Sequence, residues 1–260
     1  MASRITTDFD ILMVHSGYDK LTPMYTGTPA DLVNELIAYC GPNRTLAMPT
    51  FVFGGQKQDP ITYYKDRPFD VRRTVTEMGL MSEIFRRKPG VKRSMHPTHS
   101  VAALGPLAAE MTATHHLSKT KAGKDTPFEY MAGKKTVIVG LGTEYFRSLT
   151  QAKGVEDLLG DKFPIPFKTR SATVRILDET GKEFPYDLTI KYFMAPVRAI
   201  SLRQLLNQEE LTTWTFHGAH MWRTYANRVT EALLDGAKRG ITVYGKVDPN
   251  WRPEHGNGPE

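Results

Sequence analysis

Cysteine is nearly missing from this 260-residue chain: Cys40 stands alone, which excludes an intrachain disulfide framework and any zinc site built from thiolates. Also lacking is an unbroken run of about 18 apolar residues, the length that a membrane-spanning helix needs. The opening segment MASRITTDFDILMVHSG has one short apolar run and none of the charged, apolar and cleavage regions of a secretory signal. A cytoplasmic protein that does not engage a membrane is therefore expected. Internal repeats and low-complexity tracts are absent too. The net charge of +6 is not concentrated, because Lys and Arg are spread along the chain among 28 acidic residues. Without a basic stripe or a recognised binding motif, no nucleic-acid partner is expected.

What is present is ordinary globular material, 40% hydrophobic and 24% charged, with no break in composition. One domain over residues 1–260 is the expectation. DILMVHS, at 10–16, reads as a buried strand that delivers a polar loop at its carboxyl end. TPADLVNELIAYCG follows with Thr28 as N-cap, Pro29 at the first helical position, apolar residues at Leu32, Val33, Leu36 and Ile37, and a stop at Gly41. TLAMPTFVF is a second apolar run, and residues 54–75 read as a polar surface excursion. GLMSEIFRRKPG has the spacing of an amphipathic helix, and another helix is expected over 106–116. TVIVGLG is the clearest strand, and TQAKGVEDLLG reads as a short helix in spite of Gly154. The last third predicts a β-hairpin turning at 179–182, then two helical patterns before ITVYGKV and a frayed tail, WRPEHGNGPE. Alternating strands and helices point to a three-layer α/β/α architecture with this hairpin as a late subregion.

His115 with His116, and His217 with His220, have spacings that can share a helix face. Neither pair is joined by a His-Glu-x-x-His or cysteine pattern, so no metal is expected. Trp214, Phe216, Trp222 and Tyr225 read as core or interface. Lys119, Lys121 and Lys124 surround Gly123 in a loop that suits either solvent or an acidic ligand.

Three segments, in order, resemble the aminoglycoside 3-N-acetyltransferase family. VHSGYDKL at 14–21, together with GPNRTLAMPTF at 41–51, is similar to the family's Val-His-Ser strand end and its Leu-x-Met-Pro-Thr strand. MGLMSEIFRRKPGVKRSMHPTHSVAALGPLA at 78–108 resembles its Met-Gly helix and Arg-Ser-x-His-Pro-x-x-Ser turn. VIVGLGTEYFRSLTQAKGVED at 137–157 resembles the strand and helix that carry Thr-x-x-His-x-x-Glu. The resemblance covers roughly the first 160 residues and is loose thereafter.

It implies the family's α/β/α fold, acetyl-CoA or another acyl-CoA as co-substrate, and a small-molecule amine as acceptor. It also assigns residues. His15, Ser16 and Gly17 are expected to meet CoA phosphates or pantetheine amides, as are Arg93, Ser100 and Val101; read without the resemblance, His15 and Ser16 would merely close a turn. His96 matches a family position and is expected at the reaction centre, whereas His99 stays open and Lys92 reads as solvated. One departure stands out: Thr150 and Glu156 are in place, but Lys153 occupies the position of the family's catalytic histidine. A lysine with an ordinary pKa near 10.4 is a poor base at neutral pH, and an adjacent Glu156 would hold it still more firmly charged. Two functions follow. Either Lys153, Glu156 and His96 support acyl transfer, or the pocket has lost acetyl transfer and serves other chemistry or ligand binding. The acceptor is expected to be neutral or acidic, an amino sugar or biosynthetic intermediate, because the candidate segments are basic where a polycationic sugar would want carboxylates. A homodimer is compatible with the sequence without being required by it.

Overall fold

The computed structural model describes residues 5–22, 25–55, 59–193 and 202–246. The elements follow from local chemistry. Strand β1 (Ile11–Ser16) leads to helix α1 (Pro29–Cys40), whose start is fixed reciprocally: Asp31 N donates to Thr28 Oγ1 at 3.2 Å and Thr28 N donates to Asp31 Oδ2 at 2.8 Å. It ends at Gly41, whose φ of +62° suits a residue without a Cβ. Then come β2 (Thr45–Pro49), α2 (Pro60–Tyr64), β3 (Phe69–Asp70), α3 (Leu80–Arg86), β4 (Lys92–Arg93), β5 (Val101–Leu104), α4 (Ala108–Ala113) and α5 (Pro127–Ala132). The chain continues through β6 (Thr136–Leu141), α6 (Tyr145–Ser148), a 3-10 turn at Thr150–Lys153, α7 (Gly154–Leu159), β7 (Phe167–Leu177), β8 (Glu183–Phe193), β9 (Leu211–Phe216), β10 (Ala219–Tyr225), α8 (Ala226–Lys238), β11 (Ile241–Thr242) and β12 (Gly245–Lys246).

Seven strands form one mixed sheet in the order β4-β5-β2-β1-β6-β10-β9. The central three, β2, β1 and β6, run parallel, and antiparallel pairs extend both edges. Alternation along each strand sorts side chains to two faces. Ile11, Met13, Ala47 and Ile138 pack with α4, α5 and α8, while Leu12, Val14, Leu46 and Val139 pack with α1 and α3. This is the expected three-layer arrangement. Trp222 lies flat across Gly140, its register partner, so closely that a Cβ there would fall 1.8 Å from the indole Nε1.

The late hairpin is also as expected, with Leu177 opposite Glu183. Two expectations fail. Residues 54–75 are not a polar excursion throughout: Ile61, Tyr64, Phe69 and Val71 are buried with Val174, Ile176 and Leu188, forming a third core beneath the hairpin, where β3 pairs with β7. Of the two helical patterns after β8, residues 211–225 are a hairpin and α8 is the remaining helix; period-2 alternation in TTWTF and HMWRTY prevails over helical spacing. His217 therefore sits at a hairpin turn and His220 on a strand, not on one helix face. Trp222 is in the core, whereas Phe216 is 44% exposed. The tail expected to fray lies outside the described residues, among which no helix is long and apolar enough to cross a membrane.

Candidate functional site

Ligand sites in open α/β sheets form at the carboxyl ends of parallel strands. Here a cleft of about 650 Å³ opens at that edge, lined by His15, Ser16 and Gly17 after β1 and by Lys153 on the turn before α7. The loops after β1 and β6 touch backbone to backbone: a Cβ on Gly17 would lie 2.5 Å from the Gly142 carbonyl oxygen, and one on Gly142 would lie 2.6 Å from that of Gly17. Gly17 is thus required by its neighbour in the fold, a reason different from the ligand approach expected of it. His15 is buried, its ring 5.8 Å from that of Trp222, and burial lowers its pKa to about 4. Ser16 is half-buried, and its hydroxyl makes no hydrogen bond among the described residues. Phe53, Leu80 and Phe146, all largely exposed, also line the cleft and give it an apolar rim.

Glu156 favours the charged form of Lys153 as expected, but burial and Lys121 outweigh it. Glu156 is 1% exposed, and its carboxylate is taken up elsewhere: Lys121 Nζ stands 2.5 Å from Oε1, and Tyr244 Oη donates to Oε2 at 2.7 Å. The next residue, Asp157, pairs with Lys191 at 2.6 Å. Lys153 makes neither an ion pair nor a hydrogen bond among the described residues, and the residue is exposed where it lines the cleft. Desolvation by the surrounding protein and then the Lys121 cation hold its pKa below the ordinary lysine range, against the pull of Glu156. Burial and Glu156 together push the Tyr244 hydroxyl up.

Arg93, Ser100 and Val101, expected to hold CoA, are placed in the interior. The Arg93 guanidinium donates from Nε to Thr50 Oγ1 and Ser100 Oγ, from Nη1 to the carbonyls of Thr74 and Val71, and from Nη2 to that of Thr50. It also lies over the Phe69 ring at 4.9 Å, and burial lowers its pKa to about 9. Ser100 Oγ donates to the Thr50 carbonyl at 2.8 Å, and the Val101 amide donates to Ser94 Oγ. These groups clamp β2, β5 and the loop after β3 together, and none of the three residues lines the cleft.

His96 is likewise interior, 2% exposed, and does not line the cleft. Its Nδ1 accepts from the amides of Thr98 and His99 at 3.2 and 3.1 Å, and its ring lies 4.5 Å from that of His115. Burial, then His115 and Lys121, keep it neutral well below the usual histidine range. His115 in turn bonds Ser94 Oγ and the Lys121 carbonyl, so both of its ring nitrogens are engaged within the protein. His99, which the sequence left open, is the histidine of this loop that reaches the cleft. Nothing in its pattern marks it, since position 99 corresponds to a variable position in the motif. Tyr244 and Lys121, which fix Glu156, were equally hidden, one lying near the end of the described chain and the other in a lysine-rich loop.

The sequence model of the aminoglycoside 3-N-acetyltransferase family matches residues 13–235. Aminoglycoside N(3)-acetyltransferase III of Acinetobacter baumannii is 29% identical over 161 residues, 57% of this chain and 56% of that protein, so the matched stretch spans little more than half the relative's length. Among solved structures, apo aminoglycoside acetyltransferase AAC(3)-IVa superposes with a TM-score of 0.70 at 24% identity, covering 95% of this chain and 87% of its own. A binary complex of AAC-IIIb with CoASH superposes with a TM-score of 0.67 at 20% identity, covering 92% of each chain. At such identities the likeness establishes the fold.

Proposed function

The chain belongs to the aminoglycoside 3-N-acetyltransferase family, and from that premise we propose that it is a CoA-dependent N-acyltransferase, acetyl by default, acting on a small-molecule amine. The observation that carries the reading is the cleft itself. His15, Ser16 and Gly17 lie at the carboxyl end of β1 beside an apolar rim, in the fold in which AAC-IIIb was solved with CoASH. His15 and Ser16 offer polar atoms to the thioester arm, and Phe53, Leu80 and Phe146 offer apolar surface to its chain.

Transfer proceeds by direct attack of the amine on the thioester, with no covalent enzyme intermediate. Holding the two reactants together supplies about 7 to 11 kcal/mol of the barrier reduction. Lys153 presents its amine to the cleft, where in its cationic form it stabilises the oxyanion that develops on the thioester carbonyl. Glu156 serves this site indirectly, by fixing Lys121 and Tyr244. Arg93, Ser100, Val101 and His96 support the scaffold from within. The acceptor is a neutral or acidic amine, such as an amino sugar or biosynthetic intermediate, in contrast to the sisomicin bound by AAC-VIa. Glu156 and Asp157 are each already neutralised by a lysine, while Lys153 is not neutralised. Family membership weighs against the alternative in which the pocket serves other chemistry.

The test is a thermal-shift titration with CoA and acetyl-CoA, followed by thiol release with a panel of amines. Stabilisation that grows with CoA concentration and turnover with at least one amine are expected. Neither shift nor turnover would remove the reading. Appearance of acetyl transfer only in Lys153→His would place the parent's chemistry elsewhere.

A further inference from the structure

The site lacks an evident proton acceptor, because Lys153 fills the histidine's place and Glu156 is occupied by Lys121 and Tyr244. We propose that His99 Nε2 accepts the proton of the attacking amine, with Thr98 and His96 holding the ring in the tautomer this requires. The inference rests on the acyltransferase reading above.

Geometry makes the case. His99 lines the same cleft as Lys153, and it also borders a smaller cavity of about 180 Å³ lined by Lys119, Lys121 and Asp157, so the ring stands between two spaces. Phe51 and Phe53 fix its plane, with centroids 4.9 and 5.5 Å away. Its Nδ1 lies 2.8 Å from Thr98 Oγ1. That hydroxyl is also 3.4 Å from His96 Nδ1, which already accepts two backbone amides and therefore carries no proton. In the arrangement proposed, His99 Nδ1 donates to Thr98 Oγ1, whose own proton points to His96 Nδ1. This tautomer leaves Nε2 bearing a lone pair, and Nε2 has no partner among the described residues.

The charged and titratable groups around the ring agree. Burial disfavours the imidazolium most, and the same sense comes from Lys121 in the loop after α4, His96 in its own loop, Lys153 on the turn before α7 and His115 on the 3-10 turn His115–Leu117. The ring is thus unprotonated at neutral pH, the form that can take up a proton. In the step proposed, the C–N bond forms as the amine attacks the carbonyl carbon, its proton passes to Nε2, and the C–S bond breaks to release CoA thiolate. Imidazolium then returns its proton to water, and the thiolate takes one from water.

The test combines thiol release from acetyl-CoA, using the best amine of the panel, with CoA affinity measured by calorimetry on the same preparations. His99→Gln is expected to lower kcat on the order of 100-fold or more with unchanged CoA affinity. Imidazole is expected to restore turnover to His99→Ala. The wild-type kcat/KM should hold its value down through pH 6.5, with its acid limb below that. This profile is independent of whether either variant folds. Wild-type kcat in His99→Gln, or an acid limb in the lysine range, overturns the assignment and leaves the acyltransferase reading standing. A wild-type protein that binds CoA yet acylates no amine removes that reading, and the role of His99 with it.

Discussion

Ser16 and Ser100 are the same side chain put to opposite uses, in two regions that the sequence motifs marked alike. Ser100 is fully buried, and its hydroxyl donates to the Thr50 carbonyl at 2.8 Å, meets Thr50 Oγ1 at 3.0 Å and accepts from Arg93 Nε at 3.0 Å. Ser16 stands half-buried on the cleft floor, its hydroxyl with no partner among the described residues. A buried polar group with its bonding capacity filled belongs to the scaffold, whereas one that faces a cavity unpaired is available to a ligand. The same contrast separates Arg93, every nitrogen of which is engaged, from Lys153, and His96 from His99 three residues later. A motif names positions that matter together; bonding saturation tells which of them matter to the ligand.

Acid should act chiefly through the scaffold. His15, His96, His99 and His115 are all held below the normal histidine range, to about 4 for His15 and about 3 for His115. The folded protein excludes their protons while the unfolded chain takes them up below about pH 6.5. Stability is therefore complete above that pH and falls as pH drops toward the folded values, by about 1.4 kcal/mol per pH unit for each histidine that stays neutral. Two of the four, His96 and His115, lie in the interior beside β4 and β5, so denaturant unfolding at pH 7.5, 6.5 and 5.5 should show a steep loss. Stability unchanged over that range would mean that the clamp admits protons and is not the sealed interior described here.

Next in size is Arg93→Met, expected to destabilise by about 3 kcal/mol because it takes the guanidinium donor from the Thr74 carbonyl and leaves the Thr50 carbonyl and the Thr50 and Ser100 hydroxyls each with one donor fewer. CoA affinity of the folded fraction should be unchanged. If affinity fell while the denaturation midpoint held, the comparison would break, and Arg93 would be a ligand contact after all.

The parts of the molecule legible in the sequence are those where local chemistry decides. Thr28, Pro29 and Gly41 bound α1 through capping and backbone conformation, and the apolar run before His15 makes a central strand wherever it is placed. Residues 54–75 were misread because Ile61, Tyr64, Phe69 and Val71 are spaced irregularly; they are apolar for a core supplied by β7 and β8, more than 100 residues away. The hairpin at 211–225 was lost because alternation and helical spacing coincide over short stretches. At the site, Lys153 was found by its departure from a pattern, but the sign of its electrostatics was not legible. That sign depends first on how the fold buries the Lys153 side chain and then on Lys121, which comes from a separate loop and pairs with Glu156 from 35 positions away. His99 escaped for a related reason: its companions Phe51, Phe53 and Lys153 come from other elements.

The smallest effects divide the two regions most sharply. Ser100→Ala removes a hydroxyl with three partners and leaves Arg93 Nε and the Thr50 carbonyl each with one fewer, so about 2 kcal/mol of stability should be lost with no change in CoA binding. Ser16→Ala removes a hydroxyl with no protein partner, so stability should stay within about 0.5 kcal/mol. A direct hydrogen bond to CoA would be worth about 1 kcal/mol, so affinity should weaken by about fivefold. Calorimetric titration of both variants, beside their denaturation curves, reads the two quantities separately. Should Ser100→Ala weaken CoA binding while Ser16→Ala lowers stability, saturation would have been the wrong criterion for telling scaffold from site.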